Sequence, residues 1–226
     1  MNKDMLRTKE LYDLSHTAAA PLLENTQYPW EALSQLGDYI VELGKTLPAG
    51  EYEQRGEDVW IHKTAKIYPN NYIAGPCIIG PETEVRPGAF IRGKALVGAR
   101  CVVGNSTELK NVILFDNVQV PHYNYVGDSI LGYKSHMGAG ALTSNVKQDK
   151  TPVTVRVGEE RLETGLKKFG AMLGDQVEVG CNTVLNPGTV VGRNARVYPL
   201  SMVRGFVPGG HIHKNTGEVV PQRDKA

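Results

Sequence analysis

From residue 61 onward an apolar residue recurs every six positions: Ile61, Ile67, Ile73, Ile79, Val85, Ile91, Val97, Val103, Leu109 and Phe115. The series then slips by one residue to Val120 and Val126, and again to Leu131 and Met137. After an interruption it resumes as Leu173, Val179, Leu185, Val191, Val197 and Val203. Glycine often follows the apolar residue, as at Gly80, Gly98, Gly104, Gly127 and Gly180. A period of six fits neither an amphipathic helix nor the two-residue alternation of a strand. It is the hexapeptide signature of a parallel β-helix, in which three hexapeptides close one triangular coil and the six-spaced side chain points inward. An irregular β-sandwich is the alternative, but its turns fall about every 8–12 residues without a fixed period.

The pattern predicts coils over 61–146 and 169–207, about seven of them. At ~4.8 Å per coil the prism would be roughly 30 Å tall. The ends of such a stack expose unpaired edges and need caps. Residues 5–45 supply a candidate, since "DMLRTKELYDLSHTAAAPLLE" and "YPWEALSQLGDYIVELGKTL" read as two amphipathic helices. Pro29 would start the second, Gly44 and Pro48 would end it, and Trp30, Leu33, Leu36, Ile40 and Leu43 would form its apolar stripe. Between 147 and 168 the period breaks, and "VTVRVGEERL" alternates around Gly158 as a short hairpin would. The expected organisation is a helical cap or oligomer arm at 1–58, a β-helix at 59–207 with an excursion at 147–168, and a tail at 208–226. The fold class is mainly β: a parallel β-helix of hexapeptide repeats with an N-terminal α-helical segment.

Composition narrows the partners. The 226 residues are 41% apolar and 22% charged, as in a globular chain, and the net charge is +1. That balance gives no electrostatic case for nucleic acid or an anionic membrane surface. No apolar run approaches the ~20 residues needed to span a bilayer. The N-terminus lacks the apolar stretch of a secretion signal. Cys77, Cys101 and Cys181 are odd in number, far apart and free of CxxC spacing. A disulfide framework is not expected, and a reducing cytoplasm is the default location.

The candidate chemistry is sparse. A zinc site on a β-helix needs about three converging histidines. His62, His122, His136, His211 and His213 offer no matching spacing, so no metal is expected. No cysteine sits beside a histidine in sequence. His122 fits better as a general base, because neutral imidazole can take a proton from an amine or hydroxyl near neutral pH. A lone histidine is as readily a structural residue, and that alternative stays open. Arg86 falls two coils below His122 near the same corner, Tyr125 lies three residues on, and Lys110 points outward after Leu109. Asn145 precedes the excursion, and Lys167 and Lys168 follow it. Cations near a possible base suggest an anionic, phosphate-bearing substrate.

These residues carry a resemblance. "EVRPGAFI", "VGNSTELKNVIL", "VPHYNYVGDSILGYKSHMGAG" and "TSN" look like the β-helix of the bacterial bifunctional glucosamine-1-phosphate acetyltransferase/N-acetylglucosamine-1-phosphate uridyltransferase family. "ETGLKKFGAMLGDQVEVGCNTVLNPGTVVG" resembles the variant in related sugar-phosphate nucleotidyltransferases, and together the likeness covers about 75–207. The resemblance implies a left-handed coil, a homotrimer with sites between subunits, and acetyl-CoA as co-substrate lying along the prism by Ala139 and Cys181. It implies that His122 is the base for acetyl transfer and that Arg86 and Lys110 hold the sugar phosphate. It further implies that Tyr125 and Asn145 contact the sugar and that Lys168 reaches a neighbouring subunit's site. His136 stands where the family has asparagine, "NVKQ" replaces "NYDG", and Cys181 replaces a serine that contacts acetyl-CoA.

The reading that follows is an N-acetyltransferase acting on an amino-sugar phosphate such as glucosamine 1-phosphate. A backbone N–H at a glycine corner, or Asn145, would steady the oxyanion. Residues 1–58 are too short for a uridyltransferase domain, so pyrophosphorylase activity is not expected from this chain alone. The alternative is a non-catalytic β-helix that binds a sugar phosphate or sugar nucleotide and partners a separate nucleotidyltransferase.

Overall fold

The computed structural model describes residues 2–223. The repeats coil as a left-handed parallel β-helix with three flat faces. Face one stacks Val59–His62, Cys77–Ile79, Ala95–Val97, the ends of Glu108–Leu114 and Tyr125–Leu131, then Ala171–Leu173, Thr189–Val191 and Phe206–Val207. Face two runs from Lys66–Ile67 through Val102–Asn105 and Gln119–His122 to Arg196–Val197 and His211–His213. Face three runs from Tyr72–Ile73 through the starts of Glu108–Leu114 and Tyr125–Leu131 to Met202–Val203. The strands make seven full coils and part of an eighth. The stack therefore continues past 207, because His211–His213 pairs with Arg196–Val197 and is closed by antiparallel Val219–Pro221.

The six-residue series is the inner wall, with one correction. Val97 pairs with Leu114, so Leu114 and not Phe115 occupies the wall position. The slip falls at the corner between faces three and one. The preceding coil turns there with Gly93 and Lys94, both at positive φ. The next two coils turn on a single residue, Asn111 (φ 56°) and then Asp128 (φ 48°). One residue fewer lets Glu108–Leu114 and Tyr125–Leu131 run unbroken round the edge. Asn and Asp are the non-glycine residues that best tolerate the left-handed conformation. Phe115 is pushed one place on and is buried against Tyr12, ring centres 5.0 Å apart.

Face one is apolar on its outer side as well. Ile78, Leu96, Ile113, Ile130, Met172 and Val190 point away from the prism interior yet are buried. Short three-residue apolar runs such as "CII", "ALV" and "AML" are what a strand covered on both sides requires. The cover is the N-terminal segment, which lies along this face instead of capping an end. Helix Leu36–Thr46 packs across Cys77–Ile79, Ala95–Val97 and Glu108–Leu114. Trp30 seats against Phe169, ring centres 5.4 Å apart.

The first of the two expected helices is broken into the short turns Lys3–Leu6, Thr8–Leu11, Leu14–His16 and Ala20–Leu23. Its backbone is spent on the coil instead. The Leu11 carbonyl accepts from Asp175 N–H, and Asp13 N–H donates to the Asp175 carboxylate at 2.7 Å. The second begins as the 3-10 turn Pro29–Ser34 and becomes α-helical only at Leu36. No described helix is long and apolar enough to cross a membrane.

The excursion forms the expected hairpin. Thr154–Val157 pairs antiparallel with Glu160–Glu163 across a turn at Gly158. Val153, Val155 and Val157 are buried against the last coils.

Candidate functional site

His122 ends strand Gln119–His122 at the corner between faces two and three. The turn that follows is pinned from inside by buried Asn124. Its amide donates to the Gly138 carbonyl at 2.8 Å and the Ala141 carbonyl at 2.9 Å, and its oxygen accepts His122 N–H at 3.1 Å. The backbone of His122 is thereby fixed, and its imidazole is exposed with no hydrogen-bond partner among the described residues. A histidine buried against the next coil would have its ring nitrogens satisfied; this ring is exposed, and neither nitrogen has a partner among the described residues. Register places Asn105, His122, Ala139 and Cys181 one above another on this corner. Cys181 is exposed, two coils or ~10 Å above His122. The Ala139 N–H, one coil above, makes no hydrogen bond within the described residues. Arg86 lies two coils below, one position earlier in the row, and its Nε sits 3.5 Å from Glu84 Oε2.

The opposite edge of face three holds a second cluster, built on the shortened corner. Asp128, only 4% exposed, accepts from Lys110 Nζ at 2.9 and 3.2 Å, from Asn111 Nδ2 at 2.8 Å and from Asn145 Nδ2. Asn145 Nδ2 also donates to Tyr125 Oη at 3.2 Å. Gly127 makes room for that bond, since a Cβ there would stand 2.5 Å from Tyr125 Oη and 3.0 Å from Asn145 Nδ2. Burial, then the negative charges of Asp128 and Glu108, pushes the Tyr125 phenol above its ordinary value, against smaller opposing effects of Asn145 and Arg92. Tyr125 is therefore a hydroxyl donor at neutral pH.

This arrangement fixes each group's polarity. A carboxylate only accepts, so the NH2 of Asn145 must face Asp128. With both its hydrogens engaged, Asn145 offers a ligand its carbonyl oxygen alone. It therefore has no N–H left for the oxyanion role expected from the sequence. Lys110 is ion-paired with Asp128 but, being 27% exposed, keeps donor capacity toward solvent. Asn111 Oδ1 is buried without a partner among the described residues.

The chain returning from the hairpin lands on this cluster. Phe169 N–H donates to the Asn145 carbonyl at 2.9 Å, and Gly170 N–H to the Asp128 carbonyl at 2.8 Å. Lys168, just before, is exposed. The expected residues thus fall at two edges of one face: Arg86, His122, Ala139 and Cys181 at one, and Lys110, Asn145 and Lys168 at the other, with Tyr125 starting the strand between them and its hydroxyl reaching Asn145. Six residues separate His122 from Asp128, no more than ~20 Å of extended chain, with Tyr125 between them. Asp128 and Asn111 were missed in the sequence. The signal for them was the one-residue slip, which marks where the corner shortens.

Cys77 and Cys101 are free and buried, and burial pushes both thiols up to about 12. Among the described residues no three His, Cys, Asp or Glu side chains cluster as a metal site would require.

Comparison with known proteins adds the following. The family described as GMPPB C-terminal domain matches residues 73–192. A bifunctional sugar-1-phosphate nucleotidylyltransferase/acetyltransferase of Sulfurisphaera tokodaii is 34% identical over 156 residues, covering 69% of this chain and 39% of that protein. Bifunctional protein GlmU of Methanococcus aeolicus is 39% identical over 148 residues, 58% of this chain and 36% of that protein. The chain spans well under half the length of these curated relatives. Among solved structures, the acetyltransferase domain of PglB from Neisseria gonorrhoeae FA1090 aligns over 84% of this chain and 64% of that chain, at 18% identity and a TM-score of 0.39.

Proposed function

The chain belongs to the GMPPB C-terminal domain family, and from that premise we propose that it transfers an acetyl group from acetyl-CoA to the amine of an amino-sugar phosphate such as glucosamine 1-phosphate. The observation that carries this reading is His122: its backbone is pinned by Asn124 while its imidazole is exposed and has no partner among the described residues. A sugar phosphate lying across face three would present its amine at the His122 edge. Its hydroxyls would meet Tyr125 and the Asn145 oxygen, and its phosphate Lys110, with Arg86 and Lys168 as further cations. The thioester would come down the corner past Cys181, and its carbonyl oxygen would meet the Ala139 N–H. The amine attacks the carbonyl carbon, the C–N bond forms, His122 takes the amine proton, and the C–S bond breaks to release CoA thiolate. His122 then returns the proton to that thiolate. Positioning accounts for much of such a rate, and the imidazole for a further ~10²–10⁴-fold.

The name of the Sulfurisphaera tokodaii relative, which joins a sugar-1-phosphate nucleotidylyltransferase to an acetyltransferase, supports the substrate class. A homotrimer is part of the proposal. Tyr72, Phe90, Tyr123, Leu200 and Met202 are exposed on or beside face three, which suits contact with a second copy. The test is thiol release from acetyl-CoA with glucosamine 1-phosphate, for wild type and His122→Ala. Turnover lost in His122→Ala with unchanged thermal stability supports the proposal. No wild-type turnover across a panel of amino-sugar phosphates would overturn it. In that event the non-catalytic sugar-phosphate-binding reading takes its place, favoured by the partial neutralisation of Lys110 by Asp128.

A further inference from the structure

Register continues the Lys110 column of face three upward through Gly127, Ser144, Asn186 and Arg204. Over the upper part of this column leans the hairpin, and between them lies a cleft of about 600 Å³. Its hairpin wall is seated firmly. A Cβ at Gly188 would stand 2.5 Å from the Thr154 carbonyl oxygen, and one at Gly205 2.7 Å from that of Arg156. Both glycines also have positive φ, 80° and 78°, so the hairpin rests on two corners that only glycine fits without strain.

The charges in this cleft do not balance. Arg156 and Arg161 stand directly opposite each other across the hairpin. Arg204 faces them from the coil, and all three line the cleft and are exposed. None has an ion pair or hydrogen bond to a side chain among the described residues. Asp149 is the single carboxylate of the lining, and it is engaged by Lys147 at 3.5 Å and by Thr151 N–H and O–H at 3.0 and 2.8 Å. Four cations against one carboxylate leave a net charge of +3. Like charges opposed across two strands destabilise the pairing, and nothing in the packing of the valines on the other side of the hairpin demands them. A like-charged pair is useful where a multivalent anion bridges it, and planar guanidinium groups match phosphate oxygens two at a time.

We propose that this cleft binds the diphosphate group of a nucleotide-type ligand, with Arg156, Arg161 and Arg204 as its ligating groups. The chemistry is shared by the pyrophosphate of an acyl-CoA donor and by a nucleoside diphosphate. It does not rest on acetyl transfer, because binding is read directly.

Inorganic pyrophosphate is titrated calorimetrically into the full chain at about 0.15 M salt. Arg161→Glu is the decisive variant. It places opposite charges across the hairpin, so the fold should be at least as stable as wild type, while the anion loses a ligand and meets a carboxylate. The expected result is saturable pyrophosphate binding that weakens by about tenfold or more in Arg161→Glu and in Arg204→Gln, with no fall in melting temperature for the former. Competition by CoA assigns the cleft to the donor, and competition by a nucleoside diphosphate assigns it to a nucleotide; either supports the proposal. Absence of pyrophosphate binding to wild type, or an affinity in both variants equal to that of wild type, would overturn it. Loss of acetyl transfer in His122→Ala leaves this result untouched, so the two proposals fail separately.

Discussion

Replacing Asp128 by asparagine changes one oxygen into an NH2 and leaves shape almost constant. In the native cluster the carboxylate receives Lys110, Asn111 and Asn145, all of them donors. An asparagine there has one acceptor for three donors, and its own NH2 must face one of them. A buried donor left without an acceptor costs about 1–3 kcal/mol. Loss of the ionic partner of Lys110 adds about 1 kcal/mol, discounted because the lysine is 27% exposed and can turn to water. The sum is about 3 kcal/mol, or a fall of about 6–12 °C in melting temperature for a chain of this size. Differential scanning calorimetry at pH 7.5 measures it.

The stronger form of the prediction is reciprocal. Asn145→Asp alone sets two carboxylates side by side and destabilises. Combined with Asp128→Asn it restores a donor facing an acceptor. The double variant should recover about 1–2 kcal/mol relative to the sum of the two single losses. A melting temperature for Asp128→Asn within about 2 °C of wild type, or strict additivity in the double variant, would refute the assigned polarity of the cluster.

Two further predictions concern titration and thiols. The Tyr125 phenol should ionise above the ordinary value of 10.0, measured as the difference between ultraviolet titrations of wild type and Tyr125→Phe. Because its folded value is raised, its contribution to stability is fully present below the unfolded value and is lost as pH rises through the folded one. Asp128→Asn should bring that value down, since the carboxylate's charge is one of the causes holding it up. A thiol reagent at pH 8 should modify one cysteine of the native chain, Cys181, and all three after denaturation, because Cys77 and Cys101 are buried with thiols held near 12. Rapid labelling of two or more in the native state would contradict the packing of the inner wall.

The parts of the fold that were legible in the sequence are those set by short-range geometry. An inward side chain every six residues follows from strand alternation plus a corner of constant length, so Ile61 to Leu109 could be placed on the inner wall one residue at a time. His122 and Tyr125 followed as outward positions, and the alternation about Gly158 marked its hairpin. While the second of the two expected N-terminal helices forms over Leu36–Thr46, the first was misjudged for the opposite reason. Its apolar spacing is helical, yet Asp13 and Leu11 give their backbone hydrogen bonds to Asp175, some 160 residues away, and tertiary bonds of that reach leave no local trace.

What the sequence by itself determined is therefore the coil: its period, its inner wall and the outward set of His122, Lys110, Tyr125 and Asn145. What only the tertiary structure decided is which outward groups meet and in what protonic sense. Neighbours on the outer surface are about 17 or 18 residues apart along the chain, so their alignment depends on the exact length of every intervening corner. The single-residue turns at Asn111 and Asp128 draw Lys110 and Asn145 onto one carboxylate. At the other edge of the same face the imidazole of His122 has no hydrogen-bond partner among the described residues.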